Sequence, residues 1–205
     1  MASSSSSYNC DKFLLIVLLA ISSYSSTTSL AAREYPIPRT NTEFIRTSCS
    51  TTTYPKLCYT SLSVHASKIQ SSPKLLANTA LNVTLSSAKS TSTMMSQLSR
   101  GHGLKPREVS AMRDCMEELS DSVDELRKSI DEMGSAGESN FQLMINDVQT
   151  WVSAALTDES TCSDGFAGNA MNGNLKIAVR GRIVNVAQLT SNALALINNY
   201  ASLHD

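Results

Sequence analysis

Eight apolar residues, Val109, Met112, Met116, Leu119, Val123, Leu126, Ile130 and Met133, follow one another in steps of three and four. That spacing brings a side chain back to the same helix face every turn, and it is kept for more than three heptads. It predicts a long helix with an a/d seam and a partner surface to bury it.

The helix breakers fall where such a partner surface needs its turns. The chain has only eight Gly and five Pro, too few to supply the closely spaced turns of an all-β domain. Pro36 and Pro38 end an extended leader, Pro55 lies between Cys49 and Cys58, and Pro73 opens the next segment. Gly101, Gly103 and Pro106 form one break, Gly134 and Gly137 a second, and Gly165, Gly168 and Gly173 a third. Between them lie segments 74–100, 107–133, 138–164 and 174–205, each long enough for a helix of some six turns. Gly181 alone interrupts one, at a tolerable cost of about 1 kcal/mol. Pro73 and Pro106 suit first helical turns.

The other segments carry apolar faces of their own. Phe141, Met144, Ile145, Val148, Trp151, Val152, Ala155 and Leu156 make one wide face, and Val179, Ile183, Val186, Thr190, Ala193, Ile197 and Tyr200 another. Leu75, Leu81, Leu85, Ala88, Met95 and Leu98 form a sparser stripe among Ser and Thr. The reading is all-α: an antiparallel four-helix bundle over 73–205, preceded by a helical appendage over 40–72.

Residues 1–31 read as a secretory signal peptide. Asp11-Lys12 precedes nine apolar residues, 13–21, and Ser29-Leu30-Ala31 offers small residues where a signal peptidase reads. Nine is too few for a membrane span, which needs about 20, so no membrane anchor is expected. Residues 32–39 form the leader, and 40–205 one domain. A formal net charge of −1 lacks the electrostatic footprint of a nucleic-acid binder.

Of five Cys, Cys10 leaves with the signal peptide, so Cys49, Cys58, Cys115 and Cys162 remain. An even count in a secreted chain reads as two disulfides. Of the three pairings, the short loop around Tyr54-Pro55 favours Cys49–Cys58, which leaves Cys115 with Cys162.

No metal-ligand set, phosphate loop, nucleophile elbow or dinucleotide fingerprint occurs, so no cofactor and no enzymatic activity are expected. His65, His102 and His204 are scattered. Asn82-Val83-Thr84 is the one N-glycosylation sequon and implies a surface site. One polar feature exceeds the background: in the second long segment Glu117, Asp121 and Asp124 step by four and three along a stripe beside the apolar seam. Such a stripe is either a solvated face or a docking face for a basic or polar partner.

These residues resemble the plant invertase/pectin methylesterase inhibitor family over essentially the whole mature chain. The resemblance rests on Cys49 and Cys58 with Tyr54-Pro55-Lys56-Leu57 between them, and on Arg113-Asp114-Cys115. It rests most on the run from Asp147-Val148-Gln149-Thr150-Trp151 through Thr157 to Thr161-Cys162-Ser163-Asp164-Gly165-Phe166. It implies a four-helix bundle with an N-terminal helical hairpin and the disulfides Cys49–Cys58 and Cys115–Cys162. Invertase inhibitors of the family carry Pro-Lys-Phe after the fourth Cys, whereas this chain has Gly165-Phe166-Ala167-Gly168 there. The run from Asp147 is similar to the pectin methylesterase branch.

That branch implies a secreted inhibitor lying across the pectin-binding cleft of a plant pectin methylesterase, as a monomer in a 1:1 complex. The family's acidic interface positions, two, six and nine residues after the third Cys, fall on Glu117, Asp121 and Asp124, and its Thr before the fourth Cys falls on Thr161. The alternatives are an invertase inhibitor and, from another class, a secreted helical carrier of an apolar ligand.

Overall fold

A computed structural model describes residues 39–135, 140–168, 171 and 173–204. The expected signal peptide and the leader as far as Pro38 lie outside the described residues, as does Gly137 of the second break. Among the described residues every regular element is a helix. A small N-terminal group comprises α1 (Arg39–Cys49), α2 (Pro55–Leu62), a 3-10 turn at Ser63–His65 and α3 (Ala66–Ile69). The long helices are α4 (Pro73–Ser99), α5 (Pro106–Ser135), α6 (Phe141–Gly165) and α7 (Asn174–Ala201). Each long helix packs on the next and α7 packs back on α4, which closes a four-helix bundle.

The caps explain where the helices begin. Pro55 and Pro73 occupy first-turn positions of α2 and α4, where a missing N–H costs nothing. Ser72 Oγ accepts from Leu75 N–H at 3.3 Å. Pro106 opens α5, and Glu108 reaches back to accept from Lys105 N–H at 2.8 Å. Gly173 precedes α7 with φ 126°, a conformation that L side chains rarely adopt.

The α7 stripe is buried throughout, from Val179 to Tyr200. The α5 seam is rotated from the expected one. Its buried residues are Met112, Cys115, Leu119, Ser122, Leu126, Ser129 and Met133, while Met116, Val123 and Ile130 are half-buried and Val109 is 51% exposed. Three small side chains, Cys115, Ser122 and Ser129, therefore take the inward positions expected of larger apolar ones. At Cys115 the reason is the disulfide to Cys162 of α6, which brings the two Cα atoms to 4.4 Å, and at Ser122 it is the hydrogen bond to Glu159 of α6.

In α4 the buried set includes Leu81, Ala88 and Met95 as expected, but Leu75 is exposed and Leu76 is buried instead. In α6, Trp151, Leu156 and Phe141 are half-buried flanks rather than core, and Glu159 takes an inward position.

The core is in two parts. One, around Leu81, Leu126, Val148, Val152 and Ile197, continues into the N-terminal group through Ile45, Leu62 and Ile69. The other surrounds the Cys115–Cys162 disulfide with Met95, Met112, Phe166, Val179 and Ile183. The Cys49–Cys58 disulfide joins α1 to α2 with Cα atoms 5.5 Å apart. Among the described residues no helix is long and apolar enough to cross a membrane.

Candidate docking face on α5 and α6

An α-helix turns by about 100° per residue, so Glu117, Asp121 and Asp124 fall within one narrow sector of α5. All three are exposed. Asp124 shares its charge with Arg127, one turn along the same helix. Among the described residues neither Asp121 nor Glu117 has an ion pair, so Asp124 is the only partly neutralised charge of the stripe. Thr161, on α6, is also exposed, and its hydroxyl donates to the Thr157 carbonyl at 2.9 Å. The hydroxyl oxygen keeps lone pairs for an incoming donor.

The Cys115–Cys162 disulfide fixes the relation between these helices. Beside it a groove of about 470 Å³ opens between α5 and α6, lined by Arg107, Asp114, Glu118, Thr161 and Asp164 among others. The structure thus brings Thr161 to the same seam as the residue next to Glu117. Glu117, Asp121 and Asp124 stand on the solvent side of that seam. The face is acidic, contoured and carried on two cross-linked helices. It can hold donors of a partner by charge-assisted hydrogen bonds.

Beneath the stripe lies a second layer of acids. Glu159 is fully buried, and its Oε1 accepts from Ser122 Oγ of α5 at 2.8 Å and from Thr190 Oγ1 of α7 at 2.9 Å. Burial pushes its carboxyl up to about 7, and the two hydroxyls offset only part of that. Glu118 and Glu125 of α5 both meet Asp158 of α6, and burial raises all three, Glu125 to about 7. Asp121 adds to the effect on each of them, so the exposed stripe and the inner acids sense one another.

The periodicity of apolar residues alone does not point to Glu159. A signal was present nonetheless: Ile145, Val148, Val152, Ala155, Glu159 and Cys162 continue one three-and-four register, with an acid in an apolar slot. Asn82 lies in the middle of α4 rather than in a loop, exposed, with Nδ2 donating to the Asn78 carbonyl at 2.7 Å and to Asn78 Oδ1 at 2.9 Å. Among the described residues no group of three His, Cys, Asp or Glu side chains could hold a metal ion.

Comparison with known proteins gives a consistent result. The family model described as plant invertase/pectin methylesterase inhibitor matches residues 43–196. A carrot (Daucus carota) protein described as a 21 kDa protein is 50% identical over 165 residues, covering 79% of this chain and 86% of the relative. Pectinesterase inhibitor 11 of Arabidopsis thaliana is 46% identical over 193 residues, covering 92% and 94% of the two chains. The crystal structure of a mutant form of an Arabidopsis pectin methylesterase inhibitor superposes with a TM-score of 0.63 at 23% identity, covering 75% of this chain and 95% of that one. At that identity the superposition speaks for the fold.

Proposed function

Because the chain belongs to the plant invertase/pectin methylesterase inhibitor family, we propose that it is a proteinaceous inhibitor of plant pectin methylesterase, acting through the α5–α6 face. The observation that carries this reading is 46% identity to a pectinesterase inhibitor along nearly the full length of both chains. The chain acts as an inhibitor and not as an enzyme. The invertase reading is not favoured, and the stretch after Cys162 lacks Pro-Lys-Phe.

The inhibitor lies across the enzyme's pectin-binding cleft and so limits demethylesterification of wall homogalacturonan. Glu117, Asp121 and Asp124 accept hydrogen bonds from the enzyme, and Thr161 adds one from the neighbouring helix. A bundle with a cross-linked docking face loses little conformational freedom on binding, so buried area is converted efficiently into affinity. The carboxylates contribute orientation and association rate more than bulk affinity. The protein is secreted to the apoplast after loss of residues 1–31, binds as a monomer in a 1:1 complex and carries a glycan at Asn82.

The test is a paired inhibition titration of the oxidised protein at mildly acidic pH. One arm uses a plant pectin methylesterase and the other a cell-wall invertase. Stoichiometric loss of methylesterase activity with invertase untouched is the expected result. Loss of invertase activity alone would overturn the reading.

A further inference from the structure

Of the inner acids only Glu118 lines the docking groove, and Glu125, Asp158 and Glu159 lie outside its lining. Glu159 is fully buried, and its Oε2 meets no hydrogen-bond partner, donor or acceptor, among the described residues. Glu125 Oε2 and Asp158 Oδ2 are likewise buried without a donor. Carboxylate oxygens only accept, so two that face each other are satisfied only when a proton lies between them. A charged carboxylate at Glu159 would leave a bare anionic oxygen in the core, which is among the costlier things a fold can hold.

We propose that the α5–α6 seam is a proton-dependent lock. Glu159 and the trio Glu118, Asp158 and Glu125 join the helices when protonated and loosen them when the protons leave. In the closed state Glu159 is a neutral acid, able to accept Ser122 and Thr190 on one oxygen while its own proton sits on the other. Asp158 accepts from Glu118 and Glu125, which lie seven residues apart on α5 and so bracket the Asp121 turn.

The groups acting on this set come from α5, α6 and α7. From α5 they are Glu117, Asp121 and Lys128, and from α6 they are Asp158 and Glu159 themselves. From α7 Glu159 meets the Thr190 hydroxyl. Lys128 opposes the effect on Glu125, and the acids reinforce it.

The direction of the pH effect follows. Glu159 and Glu125 are raised from 4.5 to about 7 in the fold. A raised folded-state value contributes stability in full below the unfolded value and loses it as pH climbs through the folded one. The fold is therefore tightest in mildly acidic medium and slackens between pH 5 and 8.

The test needs no target enzyme. Thermal unfolding of the oxidised protein is followed from pH 5 to 8 at constant ionic strength, beside Glu159→Gln and Asp158→Asn. The first substitution keeps an acceptor for the two hydroxyls but cannot titrate, and the second brings amide donors to Glu118 and Glu125. The wild-type Tm is expected to fall by about 5 °C or more across this range, with a shallower fall in each variant. Carboxyl-carbon NMR of the wild type is expected to show Glu159 titrating near neutrality. A wild-type Tm flat from pH 5 to 8 would overturn the proposal. So would a Glu159 titration below pH 5, or variants whose profiles run parallel to the wild type. If Glu159→Gln does not fold, the NMR titration and Asp158→Asn still decide.

Discussion

Asn192 of α7 holds the Tyr54 residue at both ends: its Oδ1 accepts from the Tyr54 N–H at 3.0 Å and its Nδ2 donates to the Tyr54 carbonyl at 3.0 Å. Tyr54 immediately precedes α2, and Asn192 is 3% exposed, so this clamp is sheltered from water. It joins the N-terminal group to a bundle helix 138 positions further along the chain. Asn199 Nδ2 adds a second tie to Thr51 Oγ1 at 2.9 Å.

Replacing Asn192 with Ala should therefore strip two backbone groups of their partners at once. We expect a loss of about 2–3 kcal/mol of stability. Hydrogen exchange should show the Tyr54 amide deprotected while Leu119 and Leu126 amides of α5 stay slow. Unchanged protection at Tyr54 would show that the clamp holds nothing.

The two disulfides should differ in what they contribute. On the chain-entropy model a loop of 47 residues, as closed by Cys115–Cys162, is worth about 4 kcal/mol, and a loop of 9, as closed by Cys49–Cys58, about 2.5 kcal/mol. Paired Cys→Ser variants in denaturant titrations should rank in that order. Equal losses would count against the model for this protein.

Much of this architecture is legible in the residues themselves. The Gly and Pro breaks place all four long helices to within a few residues, because a bundle needs its turns there, and only Gly181 falls well inside a helix. The α7 stripe is legible for the same reason, since every position along it is apolar or a small Thr. The α5 seam is less so. A run of Met, Leu, Val and Ile in steps of three and four fits two adjacent faces equally well, and the choice between them depends on what α6 sets against α5, Cys162 at one level and Glu159 at another. Ser122 points inward only because Glu159 is there to receive it, and that pairing spans 37 positions. Asn192 is opaque for the same reason, being one polar residue among many until its partner's backbone is known. The acidic stripe is the reverse case. Glu117, Asp121 and Asp124 stand out by spacing alone, and they are exposed as a docking role requires.

Gln70 has φ 48° and ψ −143°, and it is the one described non-glycine residue with positive φ. It sits where the chain turns from α3 into α4, a backbone region natural to glycine. Gln70→Gly should stabilise the fold by about 1 kcal/mol, read as a higher denaturation midpoint with unchanged slope. A lower midpoint would mean that the side chain contributes more than the strain costs.

Within the stripe, Asp121 and Asp124 should not be equivalent. Arg127 already neutralises part of Asp124, whereas Asp121 is bare. Asp121→Asn should weaken inhibition more than Asp124→Asn, and both variants should keep the wild-type helical circular dichroism. The opposite ranking would mean that the Asp124–Arg127 pair itself is what the enzyme reads.

The most direct test of the docking face is the inhibition constant of Asp121→Ala against a plant pectin methylesterase, with Glu43→Ala on α1 as the distant control. The account predicts at least about a tenfold rise for Asp121→Ala, equivalent to about 1.4 kcal/mol, an unchanged melting profile, and no effect of the control. An unchanged inhibition constant for Asp121→Ala, with the fold intact, would contradict it.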